Sequence, residues 1–169
     1  KIKKYRGKIP LFHDAEIEKN LNRIFEPTVK LESGGYIVIN PTEALVAIDV
    51  NSGQSIKETN IEKTALKTNL EAAEEISRQI KIRDLSGLIV IDFIDMFSFY
   101  NRKAVERKLR EKSKEDRARI QFGRIGNFGL LEMTRQRLRE SSVKWHMTLT
   151  LDSFALKIIK KAEELVFSS

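Results

Sequence analysis

A chain of 169 residues, 41% of them apolar, is long enough to build one good core and too apolar to be disordered throughout. It has no cysteine, which excludes disulfides and thiolate metal sites and points to a reducing compartment, the cytoplasm; no apolar run is long enough for a membrane span. The formal charge of +7 is concentrated: residues 101–140 hold 13 Lys+Arg against 6 Asp+Glu while the remainder balances, which implies a polyanion partner or a solvated helix face.

The opening residues are basic and begin abruptly, as a piece of a longer protein would. Ile17, Leu21, Ile24 and Phe25 are helically spaced over residues 15–25, ahead of Pro27, and predict a short helix. Residues 28–31 predict a short strand before Ser33-Gly34-Gly35. Two β-rich runs, 36–40 and 44–49, flank the turn signal Asn40-Pro41-Thr42-Glu43 and read as a hairpin.

The stretch 44–96 organises the rest. Two apolar runs each deliver an aspartate near their end, Asp49 in ALVAIDVNSG and Asp92 in GLIVIDFIDM. Such continuous runs predict parallel strands buried on both faces. Between them, Ile61, Leu66, Leu70, Ala73, Ile76 and Ile80 carry helical spacing over 61–82. Thr59 with Glu62 fits a capping box, or Asn60 a cap, and Asp84-Leu85-Ser86-Gly87 is the stop, with Lys81 and Arg83 suited to the negative end of the dipole. A helix of about 20 residues, roughly 30 Å long, returns the chain past a strand. The strands are then parallel, joined by a right-handed crossover. Asp49 and Asp92 emerge at one sheet edge, where open α/β sheets bind ligands.

Beyond Met96, Phe97, Phe99 and Tyr100 precede a highly charged surface helix, 101–117. At least two of these aromatics are expected in the core; stacking on bases is the other reading. Strands are predicted at 120–125 and 128–133, the second leading into Arg135, Arg137 and Arg139. A helix follows at 154–167, capped by Asp152 or Ser153.

Asp49 and Asn51 share a side if extended geometry persists, although Asp-x-Asn-Ser-Gly also describes a turn bonding its own backbone. Asp92 interrupts an apolar run, where a charge needs a partner or a metal. Asp95 is expected to be structural, paired with an arginine. Magnesium suits Asp49 and Asp92, with manganese as a substitute: it takes one or two carboxylates, keeps water and accepts phosphate oxygens. There it could activate water and neutralise charge on a phosphodiester, with Asn51 orienting the water or a phosphate oxygen. Zinc has no cysteine here and only the scattered His13 and His146. Arg117 and Arg119, alternate residues where the basic helix meets a strand, could clamp phosphates, unless Glu115 or Asp116 occupies them.

AIDVNSG, the run IEKTALKTNLEAAEEISRQIKIRDLSGLIVIDFIDM, DRARIQ and GLLEMTRQR together resemble the catalytic region of the RNase E/G family of bacterial endoribonucleases, from about Tyr5 to about Leu138. The resemblance implies an α/β fold: a mixed sheet with a parallel β-α-β unit, helices packed on it, in a deoxyribonuclease I-like subdomain. It implies that residues 1–25 are the tail of a ribonuclease H-like subdomain, 26–140 the catalytic subdomain, and 141–169 a linker and the first helix of a small C-terminal domain. It places the magnesium ligands on Asp49 and Asp92, a supporting role on Asn51, and RNA contact on Arg119. The implied reaction cuts within single-stranded A/U-rich RNA and leaves a 5′-phosphate and a 3′-hydroxyl. A dimer or tetramer, and peripheral attachment at the inner membrane face, are expectations for a full-length protein. The family's S1 and 5′-sensor regions have no counterpart in this sequence, and no cysteine supports its CPxC-type zinc link near residues 142–148. A non-catalytic RNA-binding or scaffold module is the alternative; a deoxyribonuclease rests on fold analogy alone.

Overall fold

The computed structural model describes residues 4–7, 11–17, 21, 23–53, 61–138 and 151–167. The chain divides into two compact units, Ile24–Val143 and Lys1–Arg23 with Lys144–Ser169. The larger is an α/β unit. Its strands are β1 (Thr28–Lys30), β2 (Tyr36–Pro41), β3 (Val46–Asn51), β4 (Gly87–Asp92), β5 (Ile120–Phe122) and β6 (Leu130–Arg135). They form one mixed sheet in the order β1-β2-β3-β4-β6-β5. Only β3 and β4 pair in parallel; the other neighbours are antiparallel.

The crossover between the parallel strands is α2 (Ile61–Ile82), at the boundaries its apolar spacing predicts. Its buried stripe includes Ala65, Ala72, Ala73, Ile76 and Ile80. Small residues at the middle of the stripe admit α3 (Phe99–Ser113), whose Val105 and Leu109 are fully buried. Between the helices the Ser77 hydroxyl meets that of Ser113 at 3.1 Å, and Glu74 bridges Lys108 and Lys112. The C-terminus of α2 closes as a Schellman motif: the Leu85 N–H reaches the Ile80 carbonyl and the Asp84 N–H that of Lys81. Asp84 holds the left-handed position, φ 50°, that glycine usually takes.

The core lies on one face of the sheet only. Ile37, Ile39, Ile48, Ile89, Ile91 and Leu131 are at most 1% exposed on the helix side. On the other face Ala47 and Val90 are half-buried, and Asn40, Asp49, Asp92, Leu130 and Glu132 are exposed. The parallel strands are therefore not buried on both faces as their apolar runs suggest; they alternate, because both helices of this unit pack on the same side.

Several boundaries shift from expectation. The charged helix starts two residues early and stops at Ser113. Its start is set by α2: the Glu62 carboxylate accepts the N–H groups of Phe97 and Ser98, each at 3.2 Å, and the Asn101 amide at 2.7 Å. Glu62 thus caps the next helix; Thr59 and Asn60 lie outside the described residues. Strand β6 starts at Leu130, not residue 128, because Gly126 to Gly129 form a turn with the Gly129 N–H on the Gly126 carbonyl and Gly129 at φ 77°.

In the other unit, α1 (Leu11–Asp14) is a single helical turn, with Ile17, Leu21 and Arg23 also helical; the remainder of the predicted helix lies outside the described residues. Helix α4 (Leu151–Phe167) begins before Asp152 and Ser153, so neither is its cap; Leu151 extends the apolar spacing of Phe154 and Ile158. The predicted linker, 141–149, and His146 lie outside the described residues. Among the described residues no helix is long and apolar enough to cross a membrane.

Candidate active site

Parallel register aligns Asp49 with Asp92 as Cα partners. Strand alternation turns Ile48, Val50 and Ile91 into the core, so both aspartates project on the open face at the carboxyl ends of their strands. Asn51 follows on the same face, and its Nδ2 donates to Asp49 Oδ2 at 2.6 Å. The three residues chosen from the sequence are thus one constellation. The Asn51 bond uses the amide nitrogen and orients the Asp49 carboxylate.

Asp92 is exposed rather than enclosed, so apolar surroundings alone do not account for it. Partial burial pushes its carboxyl above the ordinary value, and the charges of Asp49 and Asp95 push it further. Among the described residues no arginine pairs with Asp95, which adds negative charge beside Asp92. Like charge held together is what a bound cation relieves. Among the described residues no group of three or more His, Cys, Asp or Glu is arranged to hold a metal ion. A pair of carboxylates still fits magnesium, which takes one or two and completes its shell with water and phosphate oxygens.

Main chain frames the pair. After Asp92, the Phe93 N–H donates to the Gly129 carbonyl at 3.2 Å. The buried Asn69 of α2 brackets the next residue, with Nδ2 on the Ile94 carbonyl at 2.8 Å and Oδ1 accepting the Ile94 N–H at 3.1 Å. A Cβ on Gly129 would stand 2.7 Å from the Phe93 carbonyl oxygen, 3.2 Å from Asp95 Oδ1 and 3.6 Å from Asp92 Oδ1. On the other side, a Cβ on Gly35 would stand 2.7 Å from the Asn51 carbonyl oxygen. Asn69 and Gly129 escaped the sequence reading, and Gly35 entered it only as a turn residue. Asn69 alone carried a signal, an amide on the apolar stripe of a helix.

The arginines lie elsewhere. Arg117 and Arg119 are exposed and bracket the buried Ala118, whose N–H donates to Asp116 Oδ1 at 2.9 Å. The Arg119 carbonyl accepts the Gln136 N–H at 2.9 Å. Gln136 follows Arg135, which pairs with Gly87 at the start of β4, whereas Leu130 pairs with Asp92 at its end. The arginine strap is thus displaced from the aspartates by the length of β4, roughly 16 Å. Neither arginine is neutralised by Asp116, which serves Arg135 instead. Arg135 is buried, its Nε 2.8 Å from Asp116 Oδ2 and its Nη1 2.8 Å from Asp84 Oδ1. It ties the end of α2 to the strap and is not a surface contact for a polyanion.

A family model described as the Ribonuclease E/G family matches residues 1–138. The chain belongs to this family. It is 58% identical to Ribonuclease E of Buchnera aphidicola subsp. Schizaphis graminum over 141 residues, 83% of this chain and 15% of that protein. Against Ribonuclease E of Escherichia coli K12 it is 57% identical, over 83% of this chain and 13% of the relative. Against Ribonuclease G of the same strain it is 39% identical, over 83% of this chain and 29% of that protein. The chain therefore spans only a small part of these family members.

Proposed function

We propose that the chain carries the catalytic centre of a magnesium-dependent endoribonuclease that cuts single-stranded, A/U-rich RNA in cytoplasmic RNA processing and decay. Cleavage leaves a 5′-phosphate and a 3′-hydroxyl. The alignment of Asp49 with Asp92 on the open sheet face supports this best, because two carboxylates at adjacent parallel strand ends fit a divalent ion that also meets a phosphodiester. Asp49 and Asp92 would hold magnesium, with manganese as a substitute. When bound, the ion supplies charge neutralisation and a nucleophilic water. Asn51 fixes the orientation of Asp49 and offers its amide to a phosphate oxygen. Arg117 and Arg119, at the other end of β4, would hold RNA phosphates away from the scissile bond, so the strand crosses the open face between the two points.

The test is cleavage of a labelled, 5′-monophosphorylated A/U-rich RNA in magnesium, in EDTA, and by Asp92→Asn. Magnesium-dependent cutting that falls at least about 100-fold in the variant is the expected result, as for loss of a group stabilising transition-state charge. Magnesium binding unchanged by Asp92→Asn would remove the metal assignment and favour a non-catalytic RNA-binding module, to which the exposed arginines are equally suited.

A further inference from the structure

The turn beside Asp92 presents an aromatic ring to solvent. Gly126 and Gly129 close it with main-chain hydrogen bonds: the Gly126 N–H donates to the Leu130 carbonyl at 2.8 Å, and the Gly129 N–H donates back to the Gly126 carbonyl at 3.3 Å. Its leading side is anchored as well. Ile125 is buried, and its N–H donates to Glu106 Oε1 at 2.8 Å. On a turn held this firmly, Phe128 is 85% exposed and contributes almost nothing to the core.

Its neighbour Gly129 packs against the reacting end of the sheet: its carbonyl accepts the Phe93 N–H, and a Cβ built on it would stand 3.2 Å from Asp95 Oδ1 and 3.6 Å from Asp92 Oδ1. A nucleotide whose phosphate meets Asp49 and Asp92 therefore has its sugar and base close to residue 128. The turn itself, Gly126-Asn127-Phe128-Gly129, has no charged side chain with which to bind phosphate. A neutral, flat nucleotide surface is the part that suits it. Aromatic rings take any base by stacking, and a main chain held in place before binding loses little freedom on binding.

We infer that Phe128 is a nucleobase platform: it stacks on the base of the nucleotide next to the scissile phosphate and so seats the RNA strand over the Asp49–Asp92 pair. The inference rests on the proposed endoribonuclease reading but extends it to a residue and a substrate part not yet assigned. Phe97 is also exposed, at 92%, but its main chain is bonded to Glu62 and Arg102 rather than placed against the Asp92 end of β4.

Binding of the full chain to a fluorescent A/U-rich RNA decamer, followed by anisotropy in EDTA, tests it without cleavage. Phe128→Ala, Phe128→Leu and Phe128→Tyr are compared with the parent at equal thermal stability. Phe128→Ala is expected to weaken binding about tenfold, Phe128→Tyr to restore it, and Phe128→Leu to behave like alanine. A series of decamers with one abasic nucleotide moved along the strand then locates the stacked base, since the effect of Phe128→Ala disappears at that position only. Restoration by leucine, which marks a hydrophobic docking surface for protein, overturns the inference. So do an alanine effect that survives at every abasic position, parent-like binding by Phe128→Ala, and a parent chain that does not bind the decamer. Because metal is absent throughout, failure of the magnesium assignment would leave this result standing.

Discussion

Asp92 shows how like charge gathered at a strand end strains a fold. Its carboxyl titrates above the ordinary range because of partial burial and the charges of Asp49 and Asp95. A carboxyl raised in the folded state favours folding below the unfolded-state pKa, and that advantage is lost as pH rises through the folded value. At neutral pH, without metal, the ionised group therefore opposes folding, and Asp92→Asn is expected to raise the melting temperature in EDTA while abolishing cleavage. Thermal melts of both proteins with and without magnesium check this; the variant should gain less from magnesium than the parent. Gly129 is constrained differently, by a φ of 77° and by the Phe93 carbonyl oxygen. Gly129→Ala is expected to destabilise the chain by about 1–3 kcal/mol and to lower cleavage with it, measured by denaturant unfolding and by turnover. The aspartates were legible because each ends an apolar run. Gly129 was not, since nothing local distinguishes a glycine that merely turns from one where a Cβ would crowd the neighbouring main chain.

At the scale of elements, α2 was legible to its ends because propensity, spacing and stop signal agree along one contiguous stretch. The start of α3 was not, since its cap is Glu62, more than thirty residues upstream. The open sheet face was hidden for the same reason: apolar runs report hydrophobic residues but not which layer covers them. Two elements are fastened by single polar side chains. Asn69 joins α2 to the segment leaving β4, and Asn69→Ala leaves the Ile94 N–H and carbonyl without those partners, an expected loss of about 1–3 kcal/mol in chemical unfolding. Arg135 joins the end of α2 to the strap before β5. Arg135→Met strands the Asp116 carboxylate, whose side chain is 5% exposed, and should destabilise by about 3–5 kcal/mol. Burial alone would raise the Asp116 carboxyl, but bonds from Arg135 and the Ala118 N–H hold it below the ordinary range. Its contribution is present above the unfolded-state value of about 3.9 and is lost as pH falls through the folded value, so stability should decline in acid and Arg135→Met should flatten that decline.

Over the whole molecule, the excess positive charge reads differently once placed. Part of it is internal, in Arg135, and part lies on α3, where Lys108 and Lys112 are matched to Glu74. Arg117 and Arg119 remain as exposed cations on a braced strap. If each neutralises one RNA phosphate, Arg117→Ala and Arg119→Ala should each reduce the slope of log affinity against log salt by about 0.7, with binding weakened uniformly across sequences. Titrations at several ionic strengths measure this directly, and an unchanged slope would remove the strap from the RNA path.

The crossover has a consequence in time as well as in space. Asp49 belongs to a local hairpin, β2 with β3, and Asp92 to β4, which pairs antiparallel with β6; the two aspartates meet across the parallel β3–β4 seam. Closing that seam requires α2 to be in place, and long-range parallel pairing is slow relative to local contacts. The two aspartates are therefore expected to come together late on the folding route. A nascent chain is thus expected to acquire most of its secondary structure before the proposed centre is complete.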